Sequence, residues 1–306
     1  MQFTKIVIGA LLLIAIGGIS IGVLVLKHGS ELIKAMRYIK TEYLIVAVLC
    51  VLIFHILDGL RLFVLSRALK IKITPGYGLV LSFMGAFGAS VTPSQLGGEF
   101  ITVWALKKKG NGLHKALGVI SVKSIIGLFT LSIFLPFAIL QAFQDPERAM
   151  MPIFIAFLAL LLALVITRAM KDRRGKLKRL GKVIKAYLMI LNLYIAKKRG
   201  YVAVAFVLSL FAYFFYLLAG AILILSFNTN ADLIQAIRAQ ALIFFTLIIS
   251  PTPGGAGMAE IGGMYVFGQF LAGSSLGAFI ITWRVLTLYT SAIVGSIFVF
   301  YYLIKD

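Results

Sequence analysis

Charge is scarce in this chain and acid is scarcer: 13% of its 306 residues are charged, with 10 Asp and Glu against 30 Lys and Arg. Soluble domains carry about a quarter charged residues, so an ordinary water-facing surface is excluded. Cysteine occurs once, as Cys50 inside an apolar run, which rules out a disulfide within the chain and says nothing of the redox compartment. The 3 histidines include His28 and His114 near helix ends, so a metal site is not expected. No phosphate-binding loop ending in GK[ST], no HExxH and no strand-to-helix nucleophile elbow occurs. The longest polar stretch leaves no room for a soluble catalytic domain. Neither an enzyme activity nor a cofactor is expected.

What fills the chain is hydrocarbon. Hydrophobic residues make up 61%, and mean hydropathy is +1.04. Apolar runs at 6–26, 43–65, 117–140, 153–166, 202–227 and 276–304 approach or reach the roughly 20 residues that cross a bilayer. The first run is too long for a signal peptide and has no small-residue cleavage site, so it reads as a retained helix. The expected fold is an all-α polytopic membrane protein, one integral domain over residues 1–306.

The net charge of +20 does not point to nucleic acid, because of where it lies. Between Arg168 and Arg199 there are 12 Lys and Arg directly against membrane helices. Such a cluster marks a cytoplasmic face in contact with anionic lipid. Its apolar residues (Leu177, Leu180, Val183, Ile184, Tyr187, Leu188, Leu191) recur every three or four, so residues 169–199 form an amphipathic interfacial segment. An ordinary positive-inside loop and a specific lipid-binding surface both fit.

Two polar interruptions remain. GASVTPSQLGGEF holds Thr92, Pro93, Gln95, Gly97, Gly98 and Glu99; IISPTPGGAGMAEIGG holds Thr252, Pro253, Gly254, Gly255 and Glu260. Glu99 lies 24 residues before Lys123, and Glu260 lies 24 before Arg284, each base standing inside an apolar run. The copies are offset by about 160 residues, so the chain divides into halves at about 43–168 and 200–304. Residues 78–90 are too few to cross a ~30 Å core. Each motif is therefore expected at the tip of a re-entrant helical hairpin, giving about six full spans and two hairpins. Two tilted crossings per hairpin are the competing reading. With both termini cytoplasmic, 21 Lys and Arg face the cytoplasm, 6 face outside and 3 stay in the membrane, and the halves are inverted. Inverted repeats with broken helices are a transporter construction.

The motif residues suit an anion. Thr before Pro is expected to cap a helix that starts in the membrane, and Gln95 stands at capping-box spacing from Thr92. Free N–H groups at such a helix start can hold phosphate. The glycines allow close backbone approach, which for Gly262 and Gly263 amounts to tight helix packing. Glu99 with Lys123 and Glu260 with Arg284 read either as structural ion pairs or as substrate contacts. His55, Asp58 and Arg61 share one helix face; Asp58 and Arg61 are expected to pair, His55 to be hydrogen-bonded, and all three to be candidates for lining a cavity.

These residues resemble the flippase-like transmembrane domain of the lysylphosphatidylglycerol synthetase/flippase family over nearly the whole chain. The resemblance assigns its motif to Thr92, Pro93, Gly97, Gly98, Glu99, Thr252, Pro253, Gly254, Gly255, Glu260 and Arg284; Lys123 stands where symmetry would put arginine. Bifunctional relatives carry a synthase domain after this region, and here the chain ends at Asp306, so synthase activity is not implied. The resemblance implies a plasma-membrane flippase for a phosphate-bearing lipid: a phospholipid, an aminoacyl-phospholipid or a polyprenyl-phosphate. A transporter of a small anionic solute and a non-transporting accessory protein that recruits a lipid-modifying enzyme are the alternatives. A homo-oligomer is compatible with any of them.

Overall fold

A computed structural model describes residues 34–37, 39–92, 95–110, 112–150, 153–154, 189, 192, 194, 196–250 and 252–304. The expected span at 6–26, nearly all of that at 153–166, Pro93, and most of the basic segment between Arg168 and Arg199 lie outside the described residues. Among the described residues all regular structure is helical.

Among the described residues nine α-helices have defined bounds, and they follow from the apolar runs and their punctuation: α1 Thr41–Ala68, α2 Pro75–Ser90, α3 Gly97–Lys108, α4 Leu113–Gln144, α5 Arg199–Phe227, α6 Leu233–Ile249, α7 Met258–Phe267, α8 Gly273–Arg284 and α9 Thr290–Ile304. A π-helical segment, Val285–Tyr289, joins α8 to α9. Among the described residues four units are long and apolar enough to cross a membrane: α1, α4, α5 and the continuous Gly273–Ile304. They coincide with four of the six expected spans. The remaining helices are short, 16 residues in α2 and 17 in α6, or about 24–26 Å of rise against a ~30 Å core.

The order long helix, short helix, break, short helix, long helix occurs twice. α1 and α5 start 158 residues apart, α2 and α6 also 158, and α4 and α8 160. Local chemistry repeats as well. Thr74 caps α2 by accepting from the Tyr77 amide at 3.1 Å, with Pro75 at the first helical position. Asp232, 158 residues on, caps α6 by accepting from the Gln235 amide at 2.7 Å. Both side chains satisfy amides that a helix start leaves unpaired.

α1 and α5 pack along their length and run antiparallel. The Lys40 amide before α1 donates to Ser226 O near the end of α5 at 3.0 Å. At the other end the Tyr194 hydroxyl donates to Leu65 O at 2.9 Å. Water-driven burial does not hold helices together in lipid, so close contact must come from small residues. A Cβ at Gly59 would lie 2.6 Å from Leu79 N, so α1 meets α2 backbone to backbone. Gly295 opens the same approach between α9 and Phe83 O of α2, and Gly220 of α5 admits the Gln240 amide of α6. α2 thus packs on α9, while α6 packs on α4. One apolar cluster gathers Leu62, Leu81, Met84 and Val119; another gathers Leu223, Ile243, Phe267 and Trp283. Phe129 and Ile293 stay more than 60% exposed, as lipid-facing side chains do.

Candidate functional site

Polar chemistry in the first half centres on α1. His55, Asp58 and Arg61 are all buried, and their three-residue spacing sends them the same way. His55 spends both ring nitrogens, with Nδ1 3.0 Å from Ser82 Oγ of α2 and Nε2 2.8 Å from Ser291 Oγ of α9. It is the expected hydrogen-bonded core histidine, and it ties three helices together. Arg61 pairs with Asp58 Oδ1 through Nη2, and its Nη1 donates to Ser209 Oγ of α5 at 2.9 Å. Gly127 of α4 makes room for the Tyr213 hydroxyl of α5, which would lie 3.0 Å from a Cβ there.

Lys123 corrects an expectation. Its ammonium does not pair with Glu99 but donates to Asp58 Oδ2 at 3.2 Å. Asp58 therefore serves two cations, and Glu99 accepts instead from the Ser124 hydroxyl. Asp58 wins because it is buried and fixed on α1, whereas Glu99 is exposed at the start of α3. The Lys123 side chain keeps 22% exposure.

In the second half the expected pair forms. Arg284 Nε lies 3.0 Å from Glu260 Oε1, each side chain 3% exposed. Arg284 Nη1 donates to Gly254 O at 3.0 Å. Glu260 Oε2 accepts from the Gly257 amide at 2.6 Å, so it also closes the start of α7. The guanidinium is not used up. Neither Nη2 nor Nε makes a directed hydrogen bond among the described residues. The Tyr289 ring lies 5.6 Å from Arg284 Cζ, and its buried hydroxyl also makes no directed hydrogen bond among the described residues. The π-helical segment begins at the next residue, Val285; such bulges recur at functional sites.

The two breaks are built differently from the simple cap expected of Thr-Pro. Thr92 bridges the turn: its hydroxyl donates to Gly88 O at 2.8 Å and accepts from the Gly97 amide at 2.7 Å. Thr92 thus satisfies an α3 amide from five residues away, and Gln95 forms no capping box because it sits in the turn at φ 58. Thr252 donates to Ala256 O at 2.8 Å, and Pro253 opens a 3₁₀ turn, Pro253–Gly255, ahead of α7. The glycines split their labour. A Cβ at Gly98 would lie 2.6 Å from Gly85 O, and one at Gly88 2.5 Å from Gly97 O, so the first set brings α2 and α3 together. Gly254, Gly255 and Gly257 adopt φ 58, 69 and 83, a region costly for other residues. A Cβ at Gly263 would make only ordinary contacts, at 3.5 Å or more, looser than at Gly97 and Gly98.

Sequence reasoning singled out the ionisable residues but not Ser82, Ser209, Ser291 or Tyr289, which complete their surroundings. Isolated serines in apolar helices were the available signal.

A family model described as the lysylphosphatidylglycerol synthase TM region matches residues 5–295. The chain belongs to this family. It is also 24% identical over 286 residues to a UPF0104 membrane protein of Archaeoglobus fulgidus, covering 86% of this chain and 87% of the relative. The four apolar spans and the family membership make this family member a multi-pass membrane protein. The match takes in both motif breaks, with Asp58, Lys123, Glu260 and Arg284.

Proposed function

We propose that this family member is a lipid translocator. Two inverted halves guide a phosphate-bearing head group across the plasma membrane while the tails stay in the bilayer. The carrying observation is Arg284: buried at 3% exposure, held by Glu260 and Gly254 O, and with Nη2 unspent. A guanidinium has five donors in a planar fork and can hold a carboxylate and a phosphate at once. An intramembrane charge of this kind is expensive to keep and marks a substrate path.

Lipid is favoured over a small solute by the first break. Glu99 is exposed there beside Leu96 and Phe100, which are 56% and 74% exposed. A carboxylate open on the same short turn as bare apolar side chains suits a molecule with a polar head and an oily tail. Lys123, Ser124 and Glu99 would receive the head group, and Arg284 would hold its phosphate. In this reading both termini face the cytoplasm.

Proteoliposomes loaded with a fluorescent phospholipid or prenyl phosphate test the reading. Arg284→Lys keeps the charge but loses the fork, and should slow translocation at least ten-fold while leaving thermal stability nearly unchanged. Full transport in the Glu260→Gln/Arg284→Gln double variant would overturn it.

A further inference from the structure

Away from both motif breaks, the ends of α4 and α7 meet the start of α6 in a cluster of amides and guanidinia. Gln269 Oε1 accepts from Gln235 Nε2 at 3.0 Å and from Gln141 Nε2 at 3.3 Å. Arg238 Nη1 donates to Gln144 Oε1 at 3.2 Å. Arg148 is committed, to Asp145 at 2.9 Å and to Tyr265 O at 3.3 Å.

Arg238 is not committed in that way. Among the described residues no carboxylate lies within ion-pair distance of it, and its buried Nε has no partner. Gln141, only 2% exposed, keeps its Oε1 without a donor. The cluster thus holds one uncompensated positive charge, one buried acceptor and neutral amides around them. Polar atoms buried without partners are costly, and here they are complementary to one chemistry: an oxyanion for Arg238 and a hydroxyl for Gln141. The same helix ends carry exposed Phe143, Ile234 and Tyr265, an apolar flank beside the polar cluster.

We propose that this cluster is a second head-group site, on the membrane face opposite the Lys107–Lys109 end of α3, for a lipid whose head carries both a phosphate and hydroxyl groups. Arg238 takes the phosphate, Gln141 accepts from a hydroxyl, and the acyl chains lie along Phe143, Ile234 and Tyr265. The proposal rests on the translocator reading and names where the head group docks at one end of its path.

The test follows modification of Arg238 by phenylglyoxal, read by peptide mass spectrometry, in the full chain in phosphatidylcholine nanodiscs. Phosphatidylglycerol doped into the disc should slow modification at least five-fold, and more phosphatidylcholine, whose head lacks hydroxyls, should not. Protection by soluble sn-glycerol 3-phosphate alone would keep the site and assign it to a solute instead of a lipid. No protection by either probe, or equal protection by phosphatidylcholine, overturns the site. Gln141→Leu, which keeps Arg238, should lose most of the protection; full protection in that variant overturns the role of Gln141. Transport that depends on Arg284 without protection at Arg238 sinks this site and spares the translocator. Protection without transport does the reverse.

Discussion

A single carboxylate, Asp58, holds two cations in the first half, Arg61 and Lys123, while Arg284 in the second half has a carboxylate of its own. Removing one member of a buried pair is far more damaging than removing both, because the survivor stays charged without compensation. Asp58→Asn strands two cations and should cost about 3–5 kcal/mol; Lys123→Met leaves Asp58 with Arg61 and should cost less than half of that. Thermal unfolding in detergent decides, and the opposite order would mean that Lys123 carries the cluster. The Asp58–Arg61 pair was legible because three residues within one helix fix the geometry. Glu99 and Lys123 were not a legible pair. They sit on different helices, and their matched spacing to Glu260 and Arg284 could not reveal that Asp58 lies nearer to Lys123.

At the scale of elements, the two breaks use glycine for opposite reasons, and substitution should separate them. Gly98→Ala forces α2 and α3 apart against Gly85 O, an overpacking cost of about 1–3 kcal/mol. Gly257→Ala meets nothing within 4 Å, and its cost of about 1–2 kcal/mol is purely the left-handed backbone. Gly200→Ala, in open space on a helix, should be neutral or better. A Gly257→Ala protein as stable as Gly200→Ala would remove the backbone argument. The long helices were legible from run length. The π-helical segment was not. A bulge adds one residue to a turn without any change in composition, so no periodicity announces Val285–Tyr289.

Across the whole molecule, α1 and α5 lie antiparallel, and each short α2 or α6 packs on the last long helix of the other half. Under the inverted reading the two breaks open to opposite faces. With Cys50 replaced by Ala, Leu96→Cys and Thr252→Cys should react with impermeant maleimides from opposite sides of oriented vesicles; ready reaction of both from one side would refute the inversion. The Arg284 arrangement has one more consequence, an electrical one. With Glu260 and the Gly254 carbonyl seated against it, the guanidinium offers little net field to a passing ion when no cargo is bound. An idle protein should then be silent in a planar bilayer under voltage. Glu260→Gln unmasks the charge and should admit a chloride leak that scales with the applied potential. Equal conductance of the two proteins would show that the membrane's insulation here does not depend on that carboxylate.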